Sequence, residues 1–227
     1  MFPSTAPAPA RALQPGDAPR VLRYPAGTLL LVGGIPGAGK STLLNRLFGL
    51  DGTETRPVQT PGGVRVIDSQ QARNRLGRRL RALPYPVWRW VTHLLHYVRI
   101  LRALHAGSLP AAVHITATHR SVMRLLGWYS RRRGVEVHLM LIDVDPQEAM
   151  RSQIERGRRL GPRSHRRHVR RWRRVLADCA SGAEAVVPGA RSLLLLERAA
   201  APEIVEIRFT SERGGRERGG AAPEAMP

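Results

Sequence analysis

Apolar residues follow two rhythms along this chain. Short, mostly apolar runs at 28–32, 64–67, 111–116, 135–142 and 192–196 have the length and composition of largely buried strands. Between them, apolar residues recur every three or four positions, the period of a helix with one buried side. Helices are predicted at 40–49, 70–83, 87–105 and 119–133. Leu76, Leu80 and Leu83 share a side of the second, which stops near Pro84 and Pro86. Trp88, Val91, Leu94, Leu95, Val98 and Leu101 mark the third, with Gly107 as its stop. After the fourth strand, Asp145 reads as an N-cap, Pro146 as the first helical residue and Glu148 as the closing member of a capping box. That helix runs to about 156, and a basic stretch, 157–167, leads into another ending near Cys179. Alternating strands and helices predict an α/β fold of three layers, with a parallel sheet of about five strands. The segment 204–209 suits a further strand without requiring one.

Neither rhythm is present at the ends. Residues 1–25 are rich in Pro and Ala, and 210–227 in Gly, Arg, Glu and Pro; both are expected to be disordered, leaving one domain at 26–209. A chain of 227 residues suits one α/β domain better than two. A single cysteine, Cys179, excludes an internal disulfide and a cysteine-rich metal site. With no apolar run long enough to span a bilayer and no leader-like start, a cytoplasmic location is the simplest expectation.

Charge adds a partner class. The formal net charge is +20, and of 37 Lys plus Arg residues only Lys40 is a lysine. Such a field draws polyanions, nucleotides or nucleic acid among them, although a solvated basic surface has the same composition. The run His165 to Arg171 could follow a phosphate backbone with Trp172 as a stacking platform, or be a solvated helix face.

The most specific feature follows the first strand. Gly34–Ser41 fits G-x-x-x-x-G-K-[ST] in full, between a buried-type strand and an amphipathic helix. Glycines at 34, 37 and 39 let successive N–H groups turn inward. With Ile35, Pro36 and Ala38 they form a cradle for phosphates, to which the following helix adds its positive end. Lys40 is placed for the β and γ phosphates, the Ser41 hydroxyl for Mg²⁺, and Thr42 for the α phosphate. A compact ammonium fits such a cradle where a planar guanidinium does not, which accounts for the one lysine in an arginine-rich chain. With no second lysine, the N-K-x-D guanine motif of GTPases is impossible, and no L-S-G-G-Q transporter signature is present.

The loop GIPGAGKST, the segments VIDSQQAR, VHITATHR and LMLIDVDPQEAMRSQIERGR, and the final LLLLER resemble the P-loop kinases related to zeta toxins, polynucleotide kinases and adenylylsulfate kinases, over about 28–198. The resemblance implies ATP with Mg²⁺ and transfer of the γ phosphate to a hydroxyl of a small molecule or nucleotide. It implies that Asp68 orients or deprotonates the acceptor; Asp68 also suits a helix N-cap. Arg73 matches the outer basic position of the same segment, while Gln70 stands where relatives carry a second acid. The third strand likewise ends His114-Ile115-Thr116, with no carboxylate. A lid at about 156–167 would supply Arg156 and Arg159 to the transferring phosphoryl, then Arg163, and Arg120 and Arg124 would face the acceptor. Two other readings stay open: a nucleotide-binding module with little catalysis, from the missing acids, and a polynucleotide end kinase or nucleic-acid-binding ATPase, from the charge.

Overall fold

The computed structural model describes residues 12–155, 157 and 161–210. In chain order the elements are β1 (Val21–Pro25), β2 (Thr28–Gly33), α1 (Lys40–Phe48), β3 (Val58–Gln59), β4 (Arg65–Ile67), α2 (Ser69–Arg79), α3 (Tyr85–His105), β5 (Ala111–His114), α4 (Arg120–Arg132), β6 (Glu136–Asp143), α5 (Pro146–Glu155), α6 (Pro162–Ala180), α7 (Ala183–Val186), β7 (Ala190–Glu197) and β8 (Glu206–Thr210).

Six strands form the main sheet in the order β3-β4-β5-β2-β6-β7. All neighbours are parallel except the short β3, which runs antiparallel to β4. The centre is β2, all six residues of which are buried, as expected of a strand covered on both faces. From β2 the chain steps outward to β4, returns to β5, and then crosses β2 to β6. The β5-to-β6 crossing makes β2 a topological switch point, where ligands bind beyond the carboxyl ends of the strands.

The main sheet carries one strand more than the five expected, because β3 is too short to show a period. The larger departure is at the N-terminus. Residues 12–25, expected to belong to a disordered arm, are ordered: Leu13 bridges Leu196, and β1 pairs in parallel with β8 over five residues. Leu22 and Tyr24 are buried, an alternation too short to stand out amid prolines. The ambiguous 204–209 segment does carry a strand, shifted to Glu206–Thr210, in a second, two-stranded sheet. Residues 1–11 and 211–227 lie outside the described residues.

Helix ends mostly follow local rules. The Asp145 carboxylate accepts the Gln147 and Glu148 amides at 2.8 and 3.2 Å, capping α5. Glu148 does not close the expected capping box; its carboxylate meets Arg198 at 3.2 Å instead. Trp172 is no stacking platform. It is buried, and its Nε1–H donates to Asp143 at 2.7 Å, fastening α6 to the end of β6.

Candidate active site

The loop after β2 is shaped by close backbone approach. Gly37 has φ +96°, and a Cβ there would run into the Ala149 carbonyl oxygen of α5 and lie 2.9 Å from its carbon. Ile35 and Ala38 are buried and anchor the loop to the core, while Pro36 is half-buried. Gly39, at φ +94°, is the N-cap of α1 and makes no side-chain cap bond, so the positive end of the helix faces the loop.

Lys40 is buried, and its ammonium donates to the Gly34 and Ile35 carbonyls at 2.9 and 2.8 Å. It therefore lies across the loop with its charge inside. The next residue, Ser41, is half-buried, and Thr42 is exposed.

Asp68, at the end of β4, is buried and caps α2: its Oδ1 accepts the Gln70 amide at 2.7 Å, while Gln71 Oε1 accepts the Asp68 amide at 3.1 Å. The N-cap alternative is thus observed, yet it occupies only one carboxylate oxygen. Oδ2 is buried without a hydrogen-bond partner. His114, at the end of the adjacent β5, places Nδ1 3.3 Å from Asp68 Oδ1 and 2.8 Å from the Ser69 hydroxyl. Burial alone would raise the Asp68 carboxyl. The charge and hydrogen bond of His114, the Gln70 amide and the neighbouring Ser41 hydroxyl outweigh it and hold the carboxyl well below the carboxylate range. Asp68 is thus a firm anion beside the start of α1.

Behind this pair, His96 of α3 is fully enclosed, and its Nε2–H donates to the His114 carbonyl at 2.8 Å. Burial first, then the neighbouring His114, push it down to about 4. His168 of α6 is also pushed down to about 4, by burial and by the nearby His119, Arg171, Arg89 and Lys40. A side chain of α6 thus lies within electrostatic reach of the phosphate loop, in a setting dominated by positive groups. Among the described residues, no three His, Cys, Asp or Glu side chains form a metal cluster by themselves.

The structure separates the remaining sequence-predicted residues. Arg73 stacks its guanidinium over the Tyr85 ring, 4.4 Å from the centroid. Arg120 pairs with Asp178, with Nη2 at 2.7 and 2.6 Å from the two carboxylate oxygens, a surface ion pair that joins α4 to α6. Arg163, in the first turn of α6, and Arg124 are exposed. Arg156 and Arg159 lie outside the described residues. Gln70 donates to Asn74 at 2.6 Å, a structural use for the side chain at the missing acidic position.

Sequence reasoning missed His114 and Arg198 as site residues. His114 stands where a carboxylate was expected, and only the β4–β5 register reveals that it faces Asp68. Arg198, just past β7, reaches Ser152 Oγ at 2.8 Å and the Gly37 carbonyl at 3.5 Å, and so ties the loop to α5.

A sequence model of a family described as "AAA domain" matches residues 29–179, from β2 to the end of α6. No curated protein matches the chain. Among solved structures, the chain is similar to the PezAT toxin–antitoxin system of Streptococcus pneumoniae (18% identity, TM-score 0.41, 59% of this chain and 52% of that one). It therefore spans about half the length of that protein. It is also similar to a tunicamycin resistance protein of Deinococcus radiodurans (16%, TM-score 0.40, 64% and 80%). A third is a gluconokinase of Sinorhizobium meliloti (14%, TM-score 0.42, 80% and 89%).

Proposed function

Because the chain belongs to this AAA domain family and has a P-loop, kinase-like fold, we propose that it binds ATP with Mg²⁺ and transfers the γ phosphate to a hydroxyl group of a small molecule or nucleotide. The observation that carries this reading is the facing pair at the switch point: a glycine cradle closed by the buried Lys40, and a buried carboxylate, Asp68, with one oxygen unused.

The residues suit their roles. Backbone amides of 34–42 and the start of α1 hold the phosphate tail, and Lys40 exchanges loop carbonyls for β and γ oxygens. The donor set fits Mg²⁺. The Ser41 hydroxyl and the neighbouring Asp68 carboxylate, whose Oδ2 has no partner, are the hard oxygen donors that would hold it. Mg²⁺ there would offset charge on the phosphates. A bond forms from the acceptor oxygen to the γ phosphorus as the bond to the bridging β oxygen breaks, and ADP leaves. A carboxyl held this far below its ordinary value is a weak base. Asp68 therefore orients the hydroxyl by accepting its hydrogen bond, and the proton passes on to solvent or product phosphate as charge develops. Arg163, with Arg156 and Arg159, would offset that charge from a lid.

Lys40→Ala tests the reading: ATP affinity by calorimetry should collapse, and phosphate transfer with it. Unchanged affinity and turnover would refute it. A second reading, a nucleotide-binding module without transfer, is favoured by Gln70 being occupied by Asn74 and by His114 standing in place of an acid. Tight ATP binding by the wild-type protein with no hydrolysis or transfer would select it.

A further inference from the structure

We propose that the acceptor carries an anionic group, a phosphate or carboxylate, which docks in a cavity along α2, the helix that Asp68 caps, between α2, the start of α3 and the loop at 52–53. This rests on the kinase reading above. The cavity has a volume of about 510 Å³ and is lined by Arg73, Asn74, Arg78, Arg81, Tyr85 and Trp88, with Gly77 leaving room on the helix. That volume lies in the range of small-molecule sites.

Three features set this hollow apart from the generally basic surface. No acidic side chain lines it, and Arg73, Arg78 and Arg81 make no ion pair with a described carboxylate. The two acids flanking the loop are turned to local use: Asp51 Oδ1 accepts from the Thr53 amide and hydroxyl, and Glu54 Oε1 from the Asp51 amide. Its walls are also fixed. Asn74 donates to the Gly52 and Glu54 carbonyls at 2.8 and 3.0 Å, holding the loop over α2. Tyr85 and Trp88 meet edge to face at 4.8 Å, Trp88 Nε1–H donates to the Leu83 carbonyl, and Arg73 lies flat on Tyr85. Finally, one helix joins the cavity to the site: α2 begins at its cap, Asp68, and carries four of the lining residues, Arg73, Asn74, Gly77 and Arg78. Asp68 caps α2, and Arg73 follows five residues later, about 7–8 Å along the axis. An acceptor with its hydroxyl at Asp68 would place a terminal anion among guanidinium forks that suit planar or tetrahedral oxyanions.

Glycerol, glycerate and glycerol 3-phosphate serve as neutral, carboxylate and phosphate probes of one size. They are titrated at one salt concentration into Lys40→Ala, which disables the phosphate loop, and into Lys40→Ala carrying Arg78→Ala and Arg81→Ala, both exposed positions. The proposal expects the anionic probes to bind the first and weaken about tenfold or more in the second, with glycerol binding neither. Whichever anion binds tighter identifies the group. In the otherwise wild-type chain, Arg78→Ala with Arg81→Ala should raise the KM for glycerate or glycerol 3-phosphate, whichever binds tighter, about tenfold and leave kcat within about twofold. Equal binding of all three probes, no binding, or affinities indifferent to the two arginines would overturn the proposal and leave the kinase reading standing. Arginine-dependent anion binding in a chain that turns over no ATP with any probe would instead refute the kinase reading, and with it the acceptor assignment.

Discussion

Gly37→Ala should damage the protein more than Gly39→Ala, and the difference isolates one contact. Both glycines have φ near +95°, where an L side chain costs about 1–2 kcal/mol. At Gly39 that is the whole cost, since nothing lies within 4 Å of an added Cβ. At Gly37 the same methyl overlaps the Ala149 carbonyl of α5, a backbone group that cannot swing aside. Relief requires parting the loop from α5, which Arg198 resists by bonding both Ser152 and Gly37. Overpacking of this kind adds about 1–3 kcal/mol. Gly37→Ala should therefore lie roughly 2–5 kcal/mol below the wild type and Gly39→Ala about 1–2, giving midpoints several degrees apart in a domain of this size. Guanidinium and thermal unfolding of the two variants measure this directly. Equal stabilities would refute the close approach of loop and helix. ATP affinity gives an independent reading: Gly37→Ala should lose it even below its unfolding midpoint, because the displaced loop no longer turns its amides inward.

Three further outcomes follow from the buried polar groups. Asp68, held below its ordinary value, contributes stability that is complete above the unfolded-state pKa of about 3.9 and drains as pH falls toward the folded value; Asp68→Asn should destabilise at pH 7 and flatten that acid limb in urea titrations. His96, pushed down to about 4, stays neutral in the fold while the unfolded ring charges below about 6.5, so stability should fall between those values by about 3 kcal/mol; His96→Gln, which keeps the donor to His114, should remove most of that fall, and an unaltered pH profile would show the ring is not enclosed. Trp172→Phe deletes the bond to Asp143 and should cost about 1.5–3 kcal/mol while speeding proteolysis near the start of α6; an unchanged cleavage rate would mean that α6 is held elsewhere.

The phosphate loop and central sheet were legible because each is written in contiguous residues. TLLLVG is almost wholly apolar because β2 is buried throughout, and of the glycines that follow, Gly34 and Gly37 are demanded by backbone approach and Gly39 by its positive φ. Asp68 was legible as an acid ending a strand, and its capping role as a local pattern. What the sequence concealed depends on strand register and long-range pairing. His114 reads as an empty position until β4 and β5 align it with Asp68. Trp172 reads as an exposed aromatic in a basic helix until β6 presents Asp143 to it, 29 residues away. Arg120 looked available because Asp178, 58 residues later, carries no local signal of its nearness. For the same reason β1 escaped notice: its partner strand begins 185 residues downstream of Val21, at Glu206.

That last pairing has a mechanical consequence. Because β1 and β8 run parallel, the polypeptide enters this ladder at one end and departs at the other. Tension drawn between the two extremities would load every rung together, in shear, instead of peeling them one at a time. A deletion up to residue 26 would leave β8 with no partner strand in its sheet, open to pairing with another molecule.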